Sequence, residues 1–189
     1  MSDFDQSAYN FRDFVHRLTG MDPRKDPKEI GNLEAMVGDQ AKFYETLFFI
    51  NIPNLNNIRK PCPHEGIRTL FWWLRYNQNV QRIKTLTIPD NTTRPMSDEL
   101  VEEAILKEFA VEEFDWRKLD INLDILTQSP HADHFTKVTL YANANWSLLH
   151  HWISDEGLAK LPNASLHLML PIDLPILVHR SFSYENVLS

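Results

Sequence analysis

The chain has 189 residues, 43% hydrophobic and 24% charged, which is ordinary for a globular protein and excludes wholesale disorder. Its formal net charge of −7 argues against nucleic-acid binding, which uses clustered lysine and arginine, and against binding to anionic membranes. There is no apolar run long enough to cross a bilayer, no secretory-signal pattern at the acidic N-terminus, and only one cysteine. We therefore expect a cytoplasmic protein without an internal disulfide.

The first 60 residues are predicted to form an N-terminal helical segment and a linker. Residues 9–20 have apolar side chains at helical spacing and end in Gly20, a residue that often terminates helices. The apolar positions are Phe11, Phe14, Val15 and Leu18. The stretch 21–31 contains two prolines and many charges, which is typical of a linker.

The next stretch is ambiguous between helix and strand. Residues 32–48 place apolar side chains on one helical face, but Leu47–Ile52 could instead form a strand, and both interpretations stay open. The proline-rich residues 53–64 predict a loop, and residues 66–77 predict a helix with a broad apolar face.

Residues 61–189 are predicted to form an α/β repeat-like domain. Alternating apolar side chains predict strands at 83–91, 111–120, 136–144 and 164–172. Helical patterns fall between them at 98–108, 121–129 and 146–160. Ser97 is a good N-cap for the first of these helices. If Leu86, Phe114, Val138 and Leu166 are equivalent, the spacings are 28, 24 and 28 residues.

A regular spacing of one strand and one helix predicts short parallel strands alternating with helices. Such units bury their apolar faces only when they stack, as in a leucine-rich-repeat-like solenoid. The leucine-rich-repeat consensus itself is not kept, and a small open or doubly wound parallel sheet is the alternative fold. Both interpretations stay open.

Strands stacked in register would place polar residues together on one face. The first predicted row is Thr85, Glu113, Lys137 and Ser165; the second is Thr87, Asp115, Thr139 and His167; the third is Arg117, Tyr141 and Met169. Helices would cover these residues in a doubly wound sheet, whereas a solenoid leaves such a face open for binding. The candidate interaction residues are therefore Thr87, Asp115, Arg117, Thr139, Tyr141 and His167.

The sequence contains no recognisable catalytic, cofactor or metal signature. Glycine-rich phosphate loops, the G-x-S-x-G elbow and H-E-x-x-H are all absent, so we expect no cofactor, no metal and no enzyme. His131, His134 and His150 are the candidates for an enzyme of unrecognised type, although solvated loop histidines are the ordinary interpretation. Cys62 and His64 lie too close in sequence to favour an activated thiolate.

The stretch from residue 65 to 170 resembles a known family. The segments that carry the likeness are FWWLRYNQNVQRIKTLTIPDN, MSDELVEEAILKEFAVEEFDWRKLDINLDIL and FTKVTLYANANWSLLHHWISDEGLAKL. They resemble the non-catalytic region that precedes the protease domain in large filamentous-fungal intracellular subtilisin-like proteins. The best matches are Ser97-Asp98-Glu99, Val111-Glu112, Asp115-Trp116-Arg117-Lys118, Asp120, Leu140-Tyr141, Asn145-Trp146 and Trp152. The resemblance implies a regulatory region, with the catalytic residues in a separate domain.

These observations predict a non-catalytic protein-interaction or regulatory module that binds a protein partner or its own downstream domain. Nucleic acid and membrane are not expected as partners. Two alternatives stay open: an enzyme that uses His131, His134 or His150, and a secreted fungal effector-like protein. The second would use the glycosylation sequons at Asn91, Asn145 and Asn163.

Overall fold

The computed structural model describes residues 43–53, 64–91, 94–143, 145–155 and 157–169, together with the backbone of Pro175–Val178. The helix predicted over residues 9–20, the linker predicted over 21–31 and the cysteine Cys62 lie outside these residues.

One sheet organises the described part of the chain. Its strands are β1 (Thr46–Asn51), β2 (Arg82–Ile88), β3 (Ala110–Leu119), β4 (Lys137–Tyr141), β5 (Ser165–Met169) and β6 (Pro175–Val178). They lie side by side in chain order, with β1 to β5 parallel and β6 antiparallel to β5. The four predicted strands are thus confirmed as parallel neighbours.

Helices connect the parallel strands. They are α1 (His64–Tyr76), α2 (Asp98–Val101), α3 (Asp124–Thr127) and α4 (Trp146–Ile153). Helix α2 continues as a π-helical turn over Glu102–Leu106, and short 3₁₀ turns occupy Ala132–His134 and Leu158–Lys160. The side chain of Ser97 accepts a hydrogen bond from the Leu100 backbone N–H, which confirms the predicted N-cap. Among the described residues, no helix is long and apolar enough to cross a membrane.

The strand order excludes the doubly wound sheet among the folds that the sequence allowed. A doubly wound sheet reverses its strand order at a switch point. Here β1 to β5 follow each other in space as they do along the chain. Because parallel crossovers are right-handed, connections that always step in the same direction return on the same side of the sheet. The described residues therefore form an α/β fold, a parallel sheet with helices on one face and with the opposite face open.

The core lies between the sheet and the helices. Leu86, Phe114, Val138 and Leu166 are direct neighbours across the four strands, as their spacing predicts, and all are buried. Trp116 belongs to the next layer of the core and is about 1% exposed. Burying apolar surface in stacked rows of this kind stabilises the fold by about 25 cal/mol for each Å² removed from water. A single strand and helix could not bury this surface alone.

Strand β1 settles the ambiguity between helix and strand at Leu47–Ile52, whereas residues 32–42 lie outside the described residues. The helical face predicted over 32–48 does not continue to its end, because Thr46–Asn51 pairs with β2 as a parallel strand. Leu47 and Ile50 pack against the core, whereas Phe48 and Phe49 are exposed. The apolar run thus has strand geometry, and its two phenylalanines lie outside the core.

Candidate interaction face

The open face carries two rows of polar side chains that follow the predicted register. Thr85, Glu113, Lys137 and Ser165 are paired neighbours in the first row; Thr87, Asp115, Thr139 and His167 are paired neighbours in the second. Adjacent strands lie about 4.8 Å apart, so the four residues of a row span roughly 15 Å. We refer to these two rows as the open face.

The third predicted row is only partly formed. Tyr141 pairs with Met169 as expected, but on β3 it pairs with Leu119 and not with Arg117. Between Asp115 and Leu119 the register shifts, because four residues of β3 are matched by two of β4. The predicted pairing of Arg117 with Tyr141 is therefore wrong. A β-bulge of this kind cannot be read from an alternating pattern that appears regular.

Asp115 nevertheless brings Arg117 and Tyr141 together. The hydroxyl of Tyr141 donates a hydrogen bond of 2.8 Å to Oδ1 of Asp115, and Nε of Arg117 lies 3.8 Å from Oδ2. Burial, and then the hydrogen bond to Asp115, raise the pKa of Tyr141 to about 12. The phenol therefore stays neutral and remains a hydrogen-bond donor at physiological pH.

The open face is shallow. A depression of about 150 Å³ is lined by Thr85, Thr87, Glu113, Phe114, Asp115, Lys137 and Thr139. Pockets that hold small molecules are larger, at roughly 300–1,000 Å³. The hydroxyls and opposite charges of the open face thus line a small, shallow depression.

Phe49 extends the open face at its β1 end, and the sequence-based prediction missed it. Phe49 pairs with Thr85 in the register and is 77% exposed. Its position depends on β1 being a strand, which the periodicity of the sequence left open. The sequence did offer a signal for this position. If Leu47–Ile52 is a strand next to β2, an aromatic side chain lies beside Thr85.

His131 and His134 line a second depression, of about 160 Å³, near the start of β2 and β3. Their rings meet edge-on at a centroid distance of 5.8 Å, and burial lowers the pKa of His131. The carboxylate there is Glu108, which accepts a 2.8 Å hydrogen bond from Tyr76 and lies 3.6 Å from Nε of Arg75. It is thus held by two partners rather than directed at a histidine.

The remaining candidate residues are dispersed. His150 is exposed on α4 and lines neither depression. His64 begins α1, where burial lowers its pKa, while Cys62 lies outside the described residues. Within the described residues, no group of three His, Cys, Asp or Glu side chains is arranged to hold a metal ion.

Several residues of the motif that carries the family resemblance stabilise the fold. Nζ of Lys118 lies 2.6 Å from Oδ1 of Asp98, which joins β3 to the first turn of α2. The backbone N–H of Asn143 donates to Oδ1 of Asp120, which has a left-handed backbone with φ of 55°. Asn145 caps α4 by accepting hydrogen bonds from two backbone N–H groups. These residues hold together the carboxyl ends of the strands.

Comparisons with protein-family models, with curated proteins and with solved structures found no match for this chain.

Proposed function

We propose that the chain is a non-catalytic protein-interaction or regulatory module that binds a protein through its open face. The observation that carries the proposal is the row of Thr87, Asp115, Thr139 and His167, which four parallel strands hold in register. A row of polar side chains on a rigid sheet presents its hydrogen-bonding groups at fixed spacing. Such preorganisation lowers the entropy cost of binding.

The shape of the open face supports a macromolecular partner over a small molecule. Its depression of about 150 Å³ is too small to enclose a drug-sized ligand. Standard protein interfaces instead bury about 800 Å² per partner on relatively flat surfaces. The exposed ring of Phe49 beside the polar rows adds an aromatic contact of the type that dominates binding energy at protein interfaces.

The family resemblance suggests what the partner is. The likeness to the region preceding a fungal subtilisin-like protease domain favours a protein partner, or a domain that follows in the same polypeptide. Since those fungal proteins are intracellular, the proposal places the module in the cytoplasm. The net charge of −7 favours a protein partner over nucleic acid.

The proposal assigns no catalytic role to His131, His134 or His150. A catalytic histidine needs a reacting group within hydrogen-bond reach and a partner that orients it. Nδ1 of His134 lies 2.9 Å from Asp133, its sequence neighbour on the surface, and Glu108 is engaged by Tyr76 and Arg75. These contacts support ordinary surface histidines.

A charge-matched pair of variants tests the proposal. Asp115→Ala/Arg117→Ala/Tyr141→Ala removes one acidic, one basic and one neutral polar side chain from the sheet surface. Glu103→Ala/Lys107→Ala/Gln128→Ala removes the same types from exposed positions on the helix side. A protein captured from a fungal extract by the wild-type chain is purified and titrated against both variants. We expect it to bind the second variant as tightly as it binds wild type. Loss of at least tenfold in affinity is expected for the first, and equal affinity for both would refute the proposal.

A further inference from the structure

Three aromatic side chains are exposed in or just before β1. Tyr44 is 84% exposed, Phe48 60% and Phe49 77%. Strand β1 is also the first strand of the sheet in the described part of the chain, so its outer edge presents backbone N–H and C=O groups. The strand sequence TLFFIN contains neither charge nor proline, the devices that normally protect an edge. An unprotected edge of this kind is normally covered by another segment, which prevents it from pairing with a second chain.

The chain reaches β1 from the side of the sheet that the helices occupy. The ring of Phe43 packs edge-on against Trp73 of α1 at a centroid distance of 5.9 Å. Trp73 is itself buried in the core. The residues that precede β1 therefore start next to α1, the position in which a further helix would extend the helix layer.

We infer that residues 9–20 of the same chain cover β1 and act as an N-terminal cap of the repeat. Four apolar side chains, Phe11, Phe14, Val15 and Leu18, recur in this segment at helical spacing. A helix of twelve residues is about 18 Å long, which matches the roughly 20 Å of a six-residue strand. The apolar face would meet Phe48 and the edge of β1, while Arg12, Asp13 and His16 would face water.

The length of the connection favours this segment over a second copy of the chain. Residues 21–42 extend at most about 75 Å, which is enough to place the segment anywhere along β1. A tethered segment acts at an effective concentration in the millimolar range, far above that of a second chain in dilute solution. Terminal repeats of solenoids also need a cap with a polar outer surface.

Photo-crosslinking in the full chain tests the cap. Phe48→p-benzoylphenylalanine places a photoreactive ring of similar shape on β1, and Tyr44 provides a second position. We expect crosslinks within a single chain that map by mass spectrometry to residues 9–20. The same replacement at Trp146, which is 81% exposed on α4, should give none to that segment. Crosslinks between two chains, crosslinks to another segment, or none from either position would overturn the cap.

A paired set of substitutions controls for specificity. Phe11→Asp/Phe14→Asp should reduce the yield of the crosslink at least about tenfold, because it puts unpaired carboxylates into an apolar contact. Arg12→Asp/His16→Asp adds two carboxylates to the opposite side of the predicted helix and should leave the yield unchanged. Equal loss in both variants would show that the apolar face makes no contact with β1.

Discussion

The indole Nε1 of Trp116 donates a 2.8 Å hydrogen bond to Oδ2 of Asp90, and both residues are almost fully buried. The same carboxylate accepts hydrogen bonds from the backbone N–H groups of Asn91 and Met96. One side chain thus closes the loop after β2 and attaches it to β3. Asp90 therefore stabilises the fold at the carboxyl edge of the sheet.

We predict that Asp90→Ala lowers the free energy of unfolding by about 3 kcal/mol or more, because it leaves donors without an acceptor in the interior. Trp116→Phe keeps most of the ring and removes the donor, so it should cost less than Asp90→Ala. Urea unfolding measures both, with Asp133→Ala at an exposed position as the control. A cost for Asp90→Ala no larger than that of the control would contradict the structural role.

Two lysine–carboxylate pairs of similar length should differ in importance. Lys118 lies 2.6 Å from Asp98 with only 12% and 24% of the side chains exposed, whereas Lys107 lies 2.8 Å from Glu102 with 52% and 32% exposed. We expect Lys118→Met to lower the free energy of unfolding by about 2 kcal/mol, since it leaves Asp98 partly desolvated without its cation. Lys107→Met should have little effect because solvent screens that pair. Chemical denaturation of the two variants measures the free energy of unfolding that each substitution costs. Equal costs would contradict the difference expected between the two pairs.

The ionisation of Tyr141 should destabilise the protein at high pH. Its pKa is raised from 10.0 to about 12 in the folded chain, mainly by burial, so the folded state favours the neutral phenol. The resulting stability is complete below pH 10 and is lost as the pH rises through 12. A pH titration followed by absorbance at 295 nm measures the ionisation of tyrosines. The difference between wild type and Tyr141→Phe gives the ionisation of Tyr141 alone. A midpoint near 10 in the folded protein would contradict both the burial of this phenol and its hydrogen bond to Asp115.

Gly157 should tolerate no side chain. A β-carbon at this position would overlap the backbone oxygen of His151 and lie 2.5 Å from that of Trp152. Because these are backbone atoms at the end of α4, they cannot rotate away, and Gly157→Ala should cost about 2–3 kcal/mol. Thermal unfolding measures the loss against Ile153→Ala, which removes an exposed side chain of the same helix. A melting temperature no lower than that of this control would rule out the close approach.

Local patterns determined the element types. Alternation identified β2 to β5, helical spacing identified α1, and Ser97 was recognised as the cap of α2. The helix predicted over 98–108 is confirmed only in part as an α-helix, because from Glu102 to Leu106 it winds as a π-helix. Periodicity cannot separate two helix types that differ by one residue per hydrogen-bonded turn.

The recurrence of one strand every 24 to 28 residues also anticipated the register of the open face. Thr87, Asp115, Thr139 and His167 are paired as predicted, because parallel strands of equivalent length align when their apolar rows align. Arg117 departs from its predicted row because β3 has two extra residues before Leu119. A bulge depends on both strands and leaves no signature in either one alone.

The alternation of apolar and polar residues along the chain was enough to predict stacked strands and helices. Three features appear only in the folded molecule: the order of the strands, the pairing of β1 that places Phe49 beside Thr85, and the hydrogen bond from Trp116 to Asp90. Each of them joins residues that lie far apart along the chain. Burial patterns are local and repeat every two or four residues, whereas strand order and hydrogen bonds such as Asp90–Trp116 join residues that only folding brings together.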